Sequence, residues 1–265
     1  MPTRFRVAYQ GTRYHGFQRQ AGQLVTVQSV LEGVLQELLG PGQVIAASRT
    51  DAGVHAAGQV AVWTGANPIP LERFARVVNH RLPEDIRIAD PQEVPAGWDP
   101  RRAAVAKAYS YRLWVGPNPC PIWWHGFVWV VDEPVNWAVL EQAARLFEGT
   151  HDFWAFRTEG SSAKTTIRTV WTSRWLREAQ GRLWRYRVVA NGFLYHMVRR
   201  MVGAQVAAAR SGELGLIREA LTRAGSEKAG PVAPAQGLTL DWVGMKGEPW
   251  DVPTLDFGVG SQSLG

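Results

Sequence analysis

The order β-α-β-β-α-β occurs twice along this chain of 265 residues, and it restricts the possible fold more than any other feature. Alternating apolar side chains indicate strands, and apolar side chains spaced by three and four indicate helices. In the first half this pattern predicts strands near 5–9, 44–48, 59–64 and 86–89, with helices near 27–38 and 71–78. In the second half it predicts strands near 105–115, 167–178, 183–190 and 238–243, with helices near 137–147, 195–210 and 214–224.

This order predicts an α+β protein made of two ferredoxin-like halves, residues 1–100 and 101–245, followed by a C-terminal tail, 246–265. The two halves share no residue-by-residue repeat, so the prediction rests on the pattern of elements alone. Residues 261–265 contain Gly and Ser and end the chain, which is typical of a frayed terminus.

Asp51 is a single acidic residue in a turn of small residues between two predicted strands. Gly53 relaxes the backbone there, because glycine accepts dihedral angles that other residues avoid. Loops held by a rigid sheet often carry catalytic groups, which makes Asp51 a candidate catalytic carboxylate. The other interpretation is an Asx turn, in which the carboxylate only accepts hydrogen bonds from nearby backbone N–H groups.

The sequence around Asp51 is also specific as a motif. Residues 49–55 read Arg-Thr-Asp-Ala-Gly-Val-His, and this stretch resembles the signature loop of the TruA family of tRNA pseudouridine synthases. Four further segments resemble motifs of the same family and occur in the same order, namely 9–20, 107–112, 191–203 and 235–238. The resemblance covers residues 5 to about 245, and five motifs in order are far more specific than one.

The resemblance implies an isomerase that converts uridine to pseudouridine at positions 38, 39 and 40 of the tRNA anticodon stem-loop. It further implies a symmetric homodimer that holds tRNA with both subunits. The two antiparallel sheets of the halves would join side by side, with a basic cleft across them.

Five residues match positions that are functional in this family. The resemblance implies that Asp51 is the catalytic carboxylate and Arg199 its cationic partner, since a nearby cation favours an ionised carboxyl. It implies that Tyr109 stacks on the target uracil and takes the C5 proton. Arg49 would fill the space left when the base leaves the RNA helix, and Leu238 would line the other side of the base.

Uridine isomerisation sets the chemistry that these residues must perform. The reaction breaks the N1–C1′ glycosidic bond, turns the detached uracil and forms a C5–C1′ bond. No electrons leave and no group is imported, so we expect no redox cofactor and no nucleotide cofactor. A carboxylate is needed to attack the nucleotide covalently, as carboxylates do at sugar carbons in glycosidases, or to assist a glycal-like path.

Cysteine and histidine usage predicts a metal-free cytoplasmic protein. Cys120 is the only cysteine, which rules out an intrachain disulfide and cannot by itself build a zinc site. The six histidines show no paired spacing such as H-x-x-x-H. We see no apolar run that could span a bilayer and expect no membrane partner and no signal peptide.

Positive charge is concentrated in residues 145–200, which hold eleven basic side chains against four acidic ones. Within this region Arg174, Arg177 and Arg185 alternate with tryptophans, and such a mixture suits phosphate contacts and base stacking. A solvated sheet face above an aromatic core would give the same composition. Thirteen tryptophans are too many to be mostly RNA contacts, so we expect most of them to pack internally.

Other functions fit the sequence less well. A non-catalytic protein that binds structured RNA in the same basic cleft is the main alternative, and a synthase acting on another RNA is a second. A glycoside hydrolase would need a second carboxylate, which no motif places near Asp51. The departures from the family pattern are mild: Lys107-Ala108 replaces two frequent basic residues, and Tyr195-His196 replaces a His-His pair.

Overall fold

The computed structural model describes residues 1–116, 119–160, 163–178, 181–222 and 228–249. The predicted C-terminal tail, 246–265, lies outside the described residues from residue 250 onward.

Within these residues the strands are β1 Thr3–Tyr9, β2 Val44–Ala46, β3 His55–Trp63, β4 Ile86–Glu93, β5 Ala104–Val115, β6 Trp129–Val131, β7 Gly149–Asp152, β8 Ile167–Glu178, β9 Leu183–Ala190 and β10 Leu238–Met245. The α-helices are α1 Val27–Leu39, α2 Leu71–Arg81, α3 Pro100–Ala103, α4 Trp137–Arg145, α5 Met197–Ser211 and α6 Gly215–Thr222.

All of these strands belong to one large sheet, in the order β4-β1-β3-β10-β5-β9-β8-β7, with β2 paired to β3 and β6 paired to β5. The pairs β1–β3, β1–β4 and β2–β3 in the first half are antiparallel. So are the pairs β5–β10, β5–β9 and β8–β9 in the second half. The predicted α+β class with a mostly antiparallel sheet is therefore confirmed.

The junction between the two halves is a short parallel pairing of β3 with β10, so it differs from the antiparallel pairing inside each half. β1 occupies one edge of β3 along most of its length, and the other edge is shared by β2 at residues 61–63 and β10 at residues 55–56. The backbones of β3 and β10 come very close here. A Cβ added at Gly58 would lie only 2.4 Å from the carbonyl oxygen of Asp241. The loop 47–54, which joins β2 to β3, therefore lies where the two halves meet.

Helix boundaries follow from local sequence. α1 begins after Thr26, whose hydroxyl accepts from the backbone N–H of Ser29, while the Ser29 hydroxyl accepts from the backbone N–H of Thr26. This reciprocal capping box satisfies backbone N–H groups at the start of α1 and so fixes where the helix begins. α5 ends at Gly212, which adopts a left-handed conformation that glycine accepts without strain.

The apolar residues of α5, among them Met197, Met201 and Val206, are buried, and α5 packs against α4. One continuous cluster of buried side chains runs through both halves, with members as far apart in sequence as Phe5 and Met245. The sheet and its helices thus form a rigid support for the loop 47–54.

Candidate active site

The loop 47–54 is held by contacts with β1 and with the segment that follows β1. The hydroxyl groups of Tyr9 and Thr50 are 2.7 Å apart, and the backbone N–H of Phe17 donates to the carbonyl of Thr50 over 3.1 Å. Gly16 passes so close that a Cβ there would lie 2.7 Å from the Thr50 carbonyl oxygen. Gly53 has a φ of 79°, which few other residues adopt. These contacts fix the backbone on either side of Asp51.

Asp51 meets the first turn of α5. Its Oδ2 accepts a hydrogen bond from an Nη of Arg199 over 3.0 Å, and Nε2 of His196 lies 3.3 Å from the same oxygen. The side chain of Asp51 keeps 21% of its surface exposed and that of Arg199 only 14%. The ion pair is therefore shielded on the protein side while the carboxylate stays open to the cavity.

Arg199 is fixed at a second point. Its Nε donates to the carbonyl of Ala233 over 2.7 Å, and the backbone N–H of Ala233 donates to the carbonyl of Arg199. The segment before β10 lies so close to α5 that a Cβ at Gly203 would be 2.0 Å from the Pro231 carbonyl oxygen. A guanidinium bound at both Nε and Nη has a defined orientation, which lysine could not reproduce.

His196 is a residue at this site to which the sequence interpretation gave no role. The Thr158 hydroxyl lies 2.9 Å from its Nδ1 and accepts from Nε of Arg200 at 3.3 Å. Thr158 can then donate to Nδ1, which leaves the proton of a neutral His196 on Nε2, facing Asp51. Burial is the largest cause of a lowered pKa at His196; Asp51 opposes the shift, and Arg199 and Arg200 add to it.

Tyr109 lies on β5 with 6% of its surface exposed. Its ring makes an edge contact with Phe193, at 5.1 Å between centroids. Its hydroxyl lies 3.2 Å from the hydroxyl of Ser48. Burial, the largest cause, raises the pKa of Tyr109 to about 12, so the hydroxyl is neutral at physiological pH.

A single cavity of about 860 Å³ is lined by all five residues that the sequence interpretation selected, Arg49, Asp51, Tyr109, Arg199 and Leu238. This volume lies within the usual range for small-molecule pockets. Arg49 is exposed, whereas Leu238 is buried. Arg19 and Lys107 also line the cavity, and its acidic members are Asp51 and Glu159, so the lining is basic overall.

Neighbouring motif residues have structural contacts. His55 is buried, its Nδ1 accepts from the backbone N–H of Gly11, and its Nε2 lies 3.1 Å from the Gln236 carbonyl oxygen. Tyr111 is fully buried and donates to the carbonyl of Pro234. Both contacts tie β3 and β5 to the segment that precedes β10.

Comparison with known proteins shows the family of this chain. A family model described as tRNA pseudouridine synthase matches residues 6–101 and 143–243. The chain belongs to the tRNA pseudouridine synthase family. Its curated relatives include tRNA pseudouridine synthase A of Acetivibrio thermocellus, 39% identical over 239 residues, which cover 88% of this chain and 95% of the relative. The protein of the same name in Solibacter usitatus is 40% identical over 239 residues, which cover 89% and 95% of the two chains.

Among solved structures, the archaeal box H/ACA sRNP Nop10–Cbf5 complex aligns with 77% of this chain and 43% of that chain, with a TM-score of 0.34 and 13% identity.

The two matched segments of the synthase family model contain most of the cavity residues. The first includes Arg49 and Asp51, and the second includes Arg199 and Leu238. Tyr109 lies between them, on the strand β5 that pairs directly with β10. The sheet thus brings Tyr109 to the cavity from outside the matched segments.

The basic cluster of this synthase lies apart from the cavity lining. Arg174 pairs with Glu148 at 2.5 Å and Arg185 with Glu178 at 2.7 Å. Arg177 lies over the ring of Trp137, with its guanidinium carbon 4.2 Å from the centroid. Glu148 and Glu178 are two of the four acidic residues already counted in 145–200, and the structure shows that Arg174 and Arg185 are the arginines they pair with.

Two further findings concern the described residues alone. They contain no group of three or more His, Cys, Asp or Glu side chains arranged to hold a metal ion. No helix among them has both the length and the apolar character that a membrane span requires.

Proposed function

We propose that this chain isomerises uridines 38, 39 and 40 of the tRNA anticodon stem-loop, with Asp51 as its catalytic carboxylate. The observation that carries the proposal is the convergence of Arg49, Asp51, Tyr109, Arg199 and Leu238 on one basic cavity. These residues come from one loop, two strands and one helix, which are spread over most of the chain. Their convergence is what chemistry on a single extruded base requires.

Asp51 begins the reaction by attacking the nucleotide or by assisting a glycal-like path, in either case as an ionised carboxylate. The hydrogen bond from Arg199 orients the carboxylate, and Nε2 of His196 lies 3.3 Å from the same oxygen, Oδ2. The carboxylate can therefore attack through its other oxygen, Oδ1. The N1–C1′ bond then breaks, and the detached uracil turns so that C5 meets C1′.

The remaining cavity residues hold the base while it turns. Leu238 and the ring of Tyr109 line the cavity, and between them they offer an apolar surface and an aromatic face to the uracil. The exposed guanidinium of Arg49 fills the gap left in the RNA stem. In the last step C5 loses its proton to Tyr109 and N1 gains one, so that atoms and charge balance overall.

Mapping pseudouridine in unmodified tRNA transcripts tests this function. Transcripts with uridine at 38, 39 or 40 should each gain pseudouridine at that position only, and transcripts with cytidine at all three should gain none. Binding of tRNA without turnover would instead indicate the non-catalytic RNA-binding protein. Turnover at positions outside the anticodon stem-loop would indicate a synthase of different specificity.

The organisation of the chain belongs to the same proposal. Residues 1–100 and 101–245 would be two ferredoxin-like units, supported by the strand orders β4-β1-β3-β2 and β10-β5-β9-β8. When the short strands β6 and β7 are left out, both halves have their fourth, first, third and second strands in this order. A cytoplasmic homodimer that holds tRNA with both subunits rests on the family resemblance. Sedimentation at several protein concentrations would measure the oligomeric state.

Chelation is expected to leave activity unchanged, because the proposed reaction uses only side chains of this chain. The tRNA should be folded beforehand in polyamine and monovalent salt, since RNA folding itself can require Mg²⁺. Turnover is then measured after exhaustive treatment with EDTA and without added nucleotide. Loss of turnover with correctly folded tRNA would reveal a metal site that this proposal lacks.

Neutralising the basic cluster should flatten the salt dependence of tRNA binding. If Arg174, Arg177 or Arg185 contacts a phosphate, its replacement by Gln should reduce the slope of log affinity against log salt by about 0.7 to 0.9, because fewer counterions are released. Gln avoids placing a new negative charge beside Glu148 or Glu178. Arg76→Gln on α2 is the matched control, and an unchanged slope in all three variants would place the RNA footprint elsewhere.

A further inference from the structure

Tyr109 cannot act as a base alone. Its hydroxyl is neutral at physiological pH, because burial raises the pKa of Tyr109 to about 12. A neutral hydroxyl that takes the C5 proton must release its own proton at the same time. The proposed function therefore requires an acceptor in hydrogen-bond contact with the Tyr109 hydroxyl.

Ser48 occupies the position of that acceptor. Its hydroxyl lies 3.2 Å from the Tyr109 hydroxyl and accepts a hydrogen bond from Nζ of Lys107 over 3.1 Å. Ser48 itself is fixed by Gln59, whose amide donates to the Ser48 carbonyl and accepts from the Ser48 N–H. Because Gln59 is part of β3, the backbone of Ser48 is held by the sheet, and this fixes the point from which its hydroxyl extends.

Lys107 completes the chain of contacts. It lies two residues before Tyr109 on β5, so both side chains emerge from the same face of the strand. Its Nζ also donates to the carbonyl of Ala47 over 3.1 Å, which directs the amine toward the loop 47–54. Lys107 lines the cavity, so a proton held there has a route to solvent.

We propose that Ser48 and Lys107 form a proton relay that carries the proton of Tyr109 away while Tyr109 takes the proton from C5 of the rearranged base. The C5–H bond breaks and its electron pair restores the double bond of the uracil ring. The Tyr109 oxygen gains this proton and gives its own to the Ser48 hydroxyl. Ser48 passes its proton to a neutral Lys107, which becomes an ammonium group and later loses the proton to solvent.

The environment of Lys107 favours this role. Burial, the largest cause, lowers the pKa of Lys107 to about 8, and the charge of Arg168 on β8 adds to the shift. The amine faces Ala47 and Ser48 from the loop, and it shares the cavity with Arg49, Asp51, His196 and Arg199. About one tenth of Lys107 is neutral one pH unit below its pKa, so the acceptor form is accessible near pH 7.

The pH dependence has a definite sign. Only neutral Lys107 accepts a proton, so the C5 deprotonation step should accelerate as pH rises and level off above about pH 8. Lys107→Met keeps an unbranched apolar stem and removes the acceptor, and Lys107→Arg keeps a permanent charge. In both variants the rise of the rate with pH should disappear. Turnover of uridine tRNA should slow by about 10²-fold, as for other proton-transfer residues.

The experiment compares uridine tRNA with 5-fluorouridine tRNA, which has no proton at C5. Lys107→Met and Ser48→Ala should slow uridine turnover and increase the isotope effect of deuterium at C5. The same variants should consume the fluorinated nucleotide at the wild-type rate and bind tRNA normally. Lys246→Met, an exposed lysine after β10, is the matched control and should behave as wild type on both substrates.

Two results would overturn the relay. One is a wild-type rate and pH profile on uridine tRNA in both Lys107→Met and Ser48→Ala. The other is an equal loss on both substrates, which would make these residues part of the fold or of base binding. Because Ser48→Ala leaves the lysine in place, it decides the question even if the Lys107 variants fold poorly. If the wild-type chain forms no pseudouridine, the proposed function itself is wrong. Failure of the relay differs from this result, because it is measured against an active wild type.

Discussion

Asp51→Asn should abolish pseudouridine formation while tRNA binding remains close to that of the wild type. Asn keeps the shape of the side chain and can still accept a hydrogen bond from Arg199, but it is a poor nucleophile. Removing a nucleophile that acts in covalent catalysis costs about 10⁴-fold or more in turnover. Affinity, by contrast, comes mainly from contacts of Lys and Arg with phosphates. Tritium release from C5-labelled tRNA measures the first effect and a gel shift the second.

The loop should survive this change, because Tyr9, Phe17 and Gly53 hold its backbone without using the Asp51 carboxylate. Asp51→Ala should be equally inactive, and thermal unfolding should show both variants folded. Asp90→Asn is the matched control, since Asp90 is exposed and has a left-handed backbone conformation that Asn also accepts. Turnover by Asp51→Asn at the wild-type rate would mean that another group starts the reaction.

The larger elements could be predicted because their signals are local. The bounds of β8 and β9 match the predicted strands, since alternation over many residues specifies a strand strongly. The start of α1 also depends on a local signal, because Thr26 and Ser29, three residues apart, form its cap. The short strands β6 and β7 and the four-residue helix α3 were not predicted, because so few residues carry little periodicity. β2 is as short but was predicted, at 44–48, and the structure ends it at Ala46.

Partners separated widely in sequence could not be predicted from periodicity. His196 lies just before α5 and has a left-handed backbone conformation, so helical periodicity gave no signal for its approach to Asp51. Its place inside the 191–203 motif was the available signal. Nothing local, however, indicates that Thr158 fixes the imidazole or that Ala233 fixes the guanidinium. These contacts depend on how β10 and α5 pack.

The aromatic and basic residues show the same limit. Most described tryptophans are buried or pack against the core, as predicted, and Trp123 and Trp171 are the exposed ones among them, at 73% and 41%. Arg174 on β8 pairs with Glu148, the residue just before β7, and a count of charges could not show this pairing. Composition therefore located the excess of positive charge but not the fraction of it that is free to meet RNA.

Tyr109→Phe and Tyr109→Leu should separate the ring of Tyr109 from its hydroxyl. Phe keeps the aromatic face and its edge contact with Phe193, so bond cleavage and rearrangement should proceed and then stall before C5 deprotonation. A residue that transfers a proton contributes about 10²–10⁴-fold, so the stall should be plain in turnover of uridine tRNA. Leu removes both the aromatic face and the hydroxyl. It should fail earlier, since stacking of a base on an aromatic ring is worth about 1–3 kcal/mol.

The substrate without a C5 proton distinguishes these roles. On 5-fluorouridine tRNA, Tyr109→Phe should consume the base at the wild-type rate, because no proton has to leave C5, while Tyr109→Leu should remain defective. If Tyr109→Phe turns over uridine tRNA at the wild-type rate, the hydroxyl is not the base, and water or another side chain takes the proton. If Tyr109→Leu is also normal, Tyr109 only packs beside Phe193, and the aromatic face that holds the uracil must come from a different residue of the cavity.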